Sequence, residues 1–218
     1  MAVDLDPADA MAAWAAGFFL AEAGDTEEAR EHGDRARTLD PLFWAAQFGS
    51  ALADLCDGDF ESALAQMTRM HTVSGDNPVA KLWLGVALLY SGRSDEAAGA
   101  LDQSAAAGAG IFSATAACLG AGVAGDRDAV RGVLADPETR EALRMTTELS
   151  WMAAAASAAV GDLDEALQWL SRAMEMGFIN HRFFSEVDPF LAKLRGDPRF
   201  EALMKRAREK QREVEGQE

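Results

Sequence analysis

The sequence predicts an all-α chain, a solenoid of about five helical hairpins with a C-terminal capping helix, and three observations carry that expectation. Five glycines, Gly24, Gly58, Gly92, Gly125 and Gly161, stand 34, 34, 33 and 36 residues apart, each after an apolar stretch and before a short charged one. Three of them continue almost identically, as Gly24-Asp-Thr-Glu-Glu-Ala29, Gly58-Asp-Phe-Glu-Ser-Ala63 and Gly161-Asp-Leu-Asp-Glu-Ala166. Gly92-Arg-Ser-Asp-Glu-Ala97 keeps the alanine, and Gly125-Asp-Arg-Asp-Ala-Val130 replaces it with valine. A fixed period of this length is the mark of stacked two-helix units. Secondly, every proline follows Asp or Asn, at Asp6-Pro7, Asp40-Pro41, Asn77-Pro78, Asp136-Pro137, Asp188-Pro189 and Asp197-Pro198. An acid or amide at the N-cap accepts a bond from a free backbone N–H, and proline in the next place needs no donor, so each pair reads as a helix start. Thirdly, no run of alternating β-branched residues with hairpin turn chemistry occurs, so strands are not expected.

Taken in order, these signals place first helices near 8–22, 42–56, 78–91, 111–124 and 138–160. Second helices fall near 26–38, 60–73, 94–107, 127–135 and 162–176. The repeats are expected near 8–41, 42–77, 78–110, 111–146 and 147–180, with a C-terminal cap over 181–215, all in one domain. The fourth unit is the least regular, because Asp136-Pro137 interrupts it and an unusually long helix should follow. Small residues over 104–110 read as a tight helix end.

Composition bounds function. The 218 residues hold 36 Asp and Glu against 20 Lys and Arg, a net charge of -16. Such a surface repels phosphate backbones and anionic lipid heads, so neither nucleic acid nor membrane is an expected partner. Residues 1–80 carry fifteen acids and only Arg30, Arg35, Arg37 and Arg69, whereas nine of the basic residues fall between Arg182 and Arg212. That basic end reads as a docking patch for an acidic partner or another copy, or as a solvated helix face, and the solvated face is the simpler account. Cys56 and Cys118 lie in apolar helical segments and read as core residues of a reducing compartment. The acidic start and the shortness of the longest apolar stretch, Met11 to Ala21, point to a cytoplasmic chain.

The repeat resembles the tetratricopeptide unit, which carries a small residue near position 8, glycine near 15, alanine near 20 and 27, and proline near 32. Gly17, Gly24, Ala29, Ala36 and Pro41 match it in the first unit. Leu84, Gly85, Leu88, Gly92, Ala97 and Leu101 match in the third, and Ala154, Gly161, Ala166, Leu170 and Ala173 in the fifth. The stretches Gly177-Phe-Ile-Asn180, Asp188-Pro-Phe-Leu191, Leu194-Arg-Gly-Asp-Pro-Arg-Phe200 and Leu203-Met204 look like the closing segment of bacterial tetratricopeptide proteins. There such regions often follow serine/threonine kinase, adenylate cyclase or transcription-regulator domains. The resemblance implies a right-handed stack that works as a non-enzymatic adaptor, or as the sensory or regulatory module of such a signalling protein. By the family's pattern, first helices present ligand-facing positions along a concave groove. Carried onto this chain, they give Met11, Trp14, Phe18, Phe48, Leu52, Leu55, Leu82, Val86, Leu89 and Trp151, with Val79, Phe112 and Leu119 on the same face. The groove would then be apolar and hold an apolar peptide, a helix of a partner protein or a second protomer. For the second unit a one-residue rotation is an alternative, since Gln47, Ser50 and Asp54 otherwise fall on packed positions.

Chemistry finds little support. Gly120-Ala-Gly-Val-Ala-Gly125 matches a dinucleotide-binding string, but it closes a helix instead of opening one after a strand, so packing is the expected role. His32, His71 and His181 lack the spacing of metal sites, and no nucleophile motif accompanies them. No cofactor, metal or catalytic residue is expected.

Overall fold

The computed structural model describes residues 8–108 and 110–215. The start expected at Asp6-Pro7 and residue Ala109 of the tight helix end lie outside the described residues. Among the described residues all regular structure is helical. Five antiparallel pairs succeed one another: α1 (Ala10–Ala23) with α2 (Thr26–Leu39), α3 (Gly49–Asp57) with α4 (Phe60–Ser74), α5 (Pro78–Tyr90) with α6 (Ser94–Ala106), α7 (Ile111–Ala124) with α8 (Arg127–Ala135), and α10 (Thr147–Ala159) with α11 (Leu163–Met176). The short helix α9 (Pro137–Leu143) lies between the fourth and fifth pairs, and α12 (Pro198–Glu215) follows the last.

The glycine period has a direct backbone cause. All five repeat glycines have positive φ, from 73° at Gly92 to 104° at Gly24, the left-handed region in which a Cβ is strained. Each ends a first helix there and turns the chain. At Asp25, Asp59 and Asp126 the next side chain then accepts from the amide of Glu28, Ser62 or Ala129, starting the second helix. The alanines four places later, Ala29, Ala63, Ala97 and Ala166, are fully buried, so a short side chain there lets the two helices of a pair approach. Glycines do the same between pairs: a Cβ on Gly33 of α2 would stand 2.3 Å from the backbone nitrogen of Ser50 in α3.

Three local expectations are corrected. The long helix expected over 138–160 is two, α9 and α10, because Thr146 Oγ1 caps the second by accepting from the Leu149 amide, and the Arg172 guanidinium holds the intervening Arg144 carbonyl at 2.9 Å. The first helix of the second unit begins as a 3₁₀ turn, Trp44–Gln47, and becomes α-helical only at Gly49. There Pro41 starts no helix directly, and Asp40 instead closes a turn by accepting from Leu42 and Phe43 amides. The C-terminal cap is not a single α-helix, since a π-helical turn (Phe183–Val187) and a 3₁₀ turn (Phe190–Leu194) precede α12.

Phe48, Leu52 and Leu55 are buried, and so are the polar Gln47, Ser50 and Asp54 on the other flank. They are buried because they are satisfied. Asp54 takes the Arg30 guanidinium at 2.6 Å together with the Ser62 hydroxyl and the Gln66 amide, Ser50 donates to Gln66, and Gln47 donates to the Pro41 carbonyl.

The chain then folds back on its own beginning. Amides of Ile179 and Asn180 both donate to the carbonyl of Glu22 at 2.9 Å, and the Asn180 side-chain amide donates to the Ala21 carbonyl at 3.0 Å. Gln211 of α12 lies against Gly24, and its side chain accepts from the His181 amide. Much of the basic end is spent within the molecule, with Arg182 on Asp57 at 2.6 Å and Arg199 on Asp164 and Asp197 at 2.7 Å.

Candidate functional site

The returning segment brings Phe178, Phe183, Phe184 and Phe190 with it. Trp151 of α10 packs on Phe178 and Phe183, with ring centres 5.7 and 5.3 Å apart, and on Trp83 of α5 at 6.3 Å. Tyr90, at the end of α5, meets Phe183 and Phe190. The indole of Trp151 donates to the carboxylate of Asp188 at 2.8 Å, a residue with no exposed surface. Burial raises the Asp188 carboxyl, opposed by that hydrogen bond and by the Phe190 amide. Much of the space expected to be an open groove is therefore filled by the chain's own aromatic residues.

This changes the list of ligand-facing residues. Leu52, Leu55, Leu82, Val86, Leu89 and Trp151 belong to the sealed core. None of the six can meet a partner in this conformation. Trp151 is covered by Phe178 and Phe183 of the returning segment, and the other five are packed inside the core. Met11 is 61% exposed and stands apart from the pocket described next.

An opening remains at one end. It is about 590 Å³ in volume and is walled by Trp14, Phe18, Phe19, Trp44, Phe48, Val79, Trp83 and Phe112, with Met145, Thr146, Thr147, Glu148 and Met176 on the remaining side. Of the expected residues, Trp14, Phe18 and Phe48 meet here, joined by Val79 and Phe112. Phe18 contacts Trp14 at 6.0 Å and Phe48 at 5.7 Å, and Phe48 packs on Trp83 at 4.4 Å. Five successive first helices or the turns leading into them thus contribute to one wall. Phe19 is 63% and Met145 64% exposed, so the rim is apolar as well as the interior.

Phe19, Trp44, Trp83, Met145, Glu148 and Met176 were not singled out from the sequence. The third unit shows why, since beside the expected Val79 it offers Trp83 where the family pattern points to Leu82 and Val86. A turn of about one residue in helix orientation suffices for the exchange. Trp83 was the available signal, being the largest side chain on α5.

Glu148 is the one charged residue on the wall, and behind it lies a second acid. Glu22, near the end of α1, is 1% exposed, and Thr147 Oγ1 stands 2.5 Å from its Oε1 and 3.1 Å from Glu148 Oε2. Burial pushes the Glu22 carboxyl up to about 8, only partly offset by the Thr147 hydrogen bond, and burial also raises Glu148. Thr147 has a single hydroxyl proton for two carboxyls. The hydroxyl donates to Glu22 Oε1 at the shorter distance and to Glu148 Oε2 at the longer one, so the two carboxyls compete for it.

Cys56 and Cys118 are buried, and burial holds both thiols protonated, Cys118 up to about 12. In the glycine string, Gly125 ends α7 in the left-handed conformation and Gly122 lets α7 approach Ala156 of α10 to within 3.0 Å of a Cβ position. Among the described residues no group of three His, Cys, Asp or Glu is placed to hold a metal ion, and no helix is long and apolar enough to cross a membrane.

No protein-family model matches the chain, and no curated protein does. Among solved structures it is similar to a chain in the crystal structure of the APC/C hetero-tetramer Cut9-Hcn1, with a TM-score of 0.61 and 18% identity over 94% of this chain. The match covers 44% of that chain, so the present sequence spans less than half of its neighbour's length. The likeness is one of fold, and the fold is an all-α helical repeat of the tetratricopeptide kind.

Proposed function

We propose that this chain is a non-enzymatic protein-interaction adaptor that takes an apolar segment of a partner protein into the pocket walled by Trp14, Phe18, Phe19, Trp44, Phe48 and Trp83. The supporting observation is that pocket itself: an aromatic hollow of about 590 Å³ left open in a chain that buries most of its other large apolar side chains. Apolar surface of this kind is costly to leave in water and is usually a contact site. The similar solved chain is part of a hetero-tetramer, which fits a repeat built for assembly. The net charge of -16 argues against nucleic acid or an anionic membrane as the occupant, and the two buried, unpaired cysteines suit a cytoplasmic setting.

The test compares wild type with a Trp14→Ala/Phe18→Ala double variant and with Phe19→Ala as immobilised baits in lysate of the source organism. A protein retained by wild type and lost from both variants, with thermal unfolding of Phe19→Ala unchanged, is the expected result. Identical capture by all three would overturn the assignment, and capture of the chain itself would make the groove a self-association surface.

A further inference from the structure

We infer that the occupant of this pocket is basic as well as apolar: a segment of a partner protein in which one lysine or arginine, flanked by apolar residues, sets its cation against Glu148. This deepens the adaptor reading and rests on it. Three observations carry it. Seven aromatic and two methionine side chains make most of the wall, and the single charge among its residues is the carboxylate of Glu148. Aromatic faces attract cations and repel anions, so the rings and the carboxylate favour the same sign of charge.

The second observation is that this acid has no cation of its own. Among the described residues neither Glu148 nor Glu22 makes an ion pair, although many of the surface acids are paired with arginine or lysine. Two carboxyls share one hydroxyl, Thr147 Oγ1, and burial holds both above the ordinary carboxylate range. A bound ammonium or guanidinium would supply the missing counter-charge.

The third concerns approach. Fifteen acids against four arginines in residues 1–80, which form two of the contributing elements, give a field that draws a basic segment in and turns an acidic one away. Helices α5, α7 and α10 begin at the pocket, and helix starts favour anions. One first-turn amide in each of α5 and α10 is engaged by a side chain, Val79 by Asn77 at 2.9 Å and Leu149 by Thr146 at 3.4 Å, while α7 has no capping side chain. An anion entering would nevertheless meet the carboxylate of Glu148.

A dodecapeptide library displayed on phage, selected on wild type and counter-selected on the Trp14→Ala/Phe18→Ala variant, tests the inference. Enriched peptides should combine apolar residues with one lysine or arginine, and should bind Glu148→Gln about tenfold more weakly. Replacing their basic residue with norleucine should cost the same factor on wild type and little on Glu148→Gln. Pocket-dependent peptides that lack a basic residue, or that bind Glu148→Gln as tightly, overturn the inference and leave the adaptor reading standing. Failure to enrich any pocket-dependent peptide overturns both.

Discussion

The carboxyl of Glu22 in the first helical pair meets the hydroxyl of Thr147, the first residue of the fifth pair's leading helix, across 125 positions of sequence. With the ordinary value at 4.5 and the folded value near 8, the native state holds a proton that the unfolded chain releases throughout that interval. Stability from this group is full below about pH 4.5 and is lost as pH rises toward 8. Glu22→Gln keeps the hydrogen bond and carries no titration. Its melting temperature should exceed that of wild type increasingly between pH 5 and 8.5, by several degrees at the top, and the two should converge near pH 4.5. Parallel melting curves across this range would show that Glu22 does not titrate there.

Helices α2 and α3 cross through glycine. Gly33→Ala would force a Cβ to 2.3 Å from the Ser50 nitrogen and 2.8 Å from the Gly49 carbonyl carbon, both backbone atoms that cannot rotate away. A loss of roughly 2–3 kcal/mol is expected in denaturant unfolding. Gly99→Ala and Gly132→Ala, in helices with nothing within 4 Å of the added atom, should instead gain about 0.5–1 kcal/mol.

Two tryptophans serve as a controlled pair. Trp151 donates to Asp188 and Trp169 to Glu165, each at 2.8 Å, but Asp188 is sealed while Glu165 is partly exposed and also holds Arg140 at 2.6 Å. Replacing each tryptophan with phenylalanine removes a similar volume. Trp151→Phe should be the more costly by about 1–2 kcal/mol, since only there is a buried acceptor stranded. Equal losses would mean that water reaches Asp188.

Leu82 and Phe19 separate core from contact surface. Leu82→Ala should cost about 2–5 kcal/mol of stability, because its site is closed on all sides. Phe19→Ala, at a residue 63% exposed, should change stability by less than about 0.5 kcal/mol and should act on partner binding alone.

The sequence made the hairpins legible because their cause is local: a left-handed glycine, an aspartate cap and a buried alanine lie within six residues of each other. Of the residues expected on the groove in the first two units, Trp14, Phe18 and Phe48 line the pocket, whereas Leu52 and Leu55 are sealed in the core. Trp151 is covered by Phe178 and Phe183, which come from far along the chain, and Leu82, Val86 and Leu89 are sealed in the core. Phe178, Phe183 and Phe190 fill the interior from positions with no periodic relation to it. Glu22 gave no warning at all, as an acid on an otherwise apolar helix reads like any solvated residue until Thr147 and the Ile179 and Asn180 amides are brought to it. The break at Thr146 was hidden for want of a nearby glycine or proline.

The bonds from Ile179 and Asn180 to the Glu22 carbonyl have one more implication. An open array can gain or lose a unit by gene duplication or deletion, since each unit touches only its neighbours. Here the last pair is tied to the first, so an inserted unit would separate both halves of that tie at once. The number of units between α1 and residue 180 is held constant by geometry, and variation is channelled into the residues around the aromatic pocket.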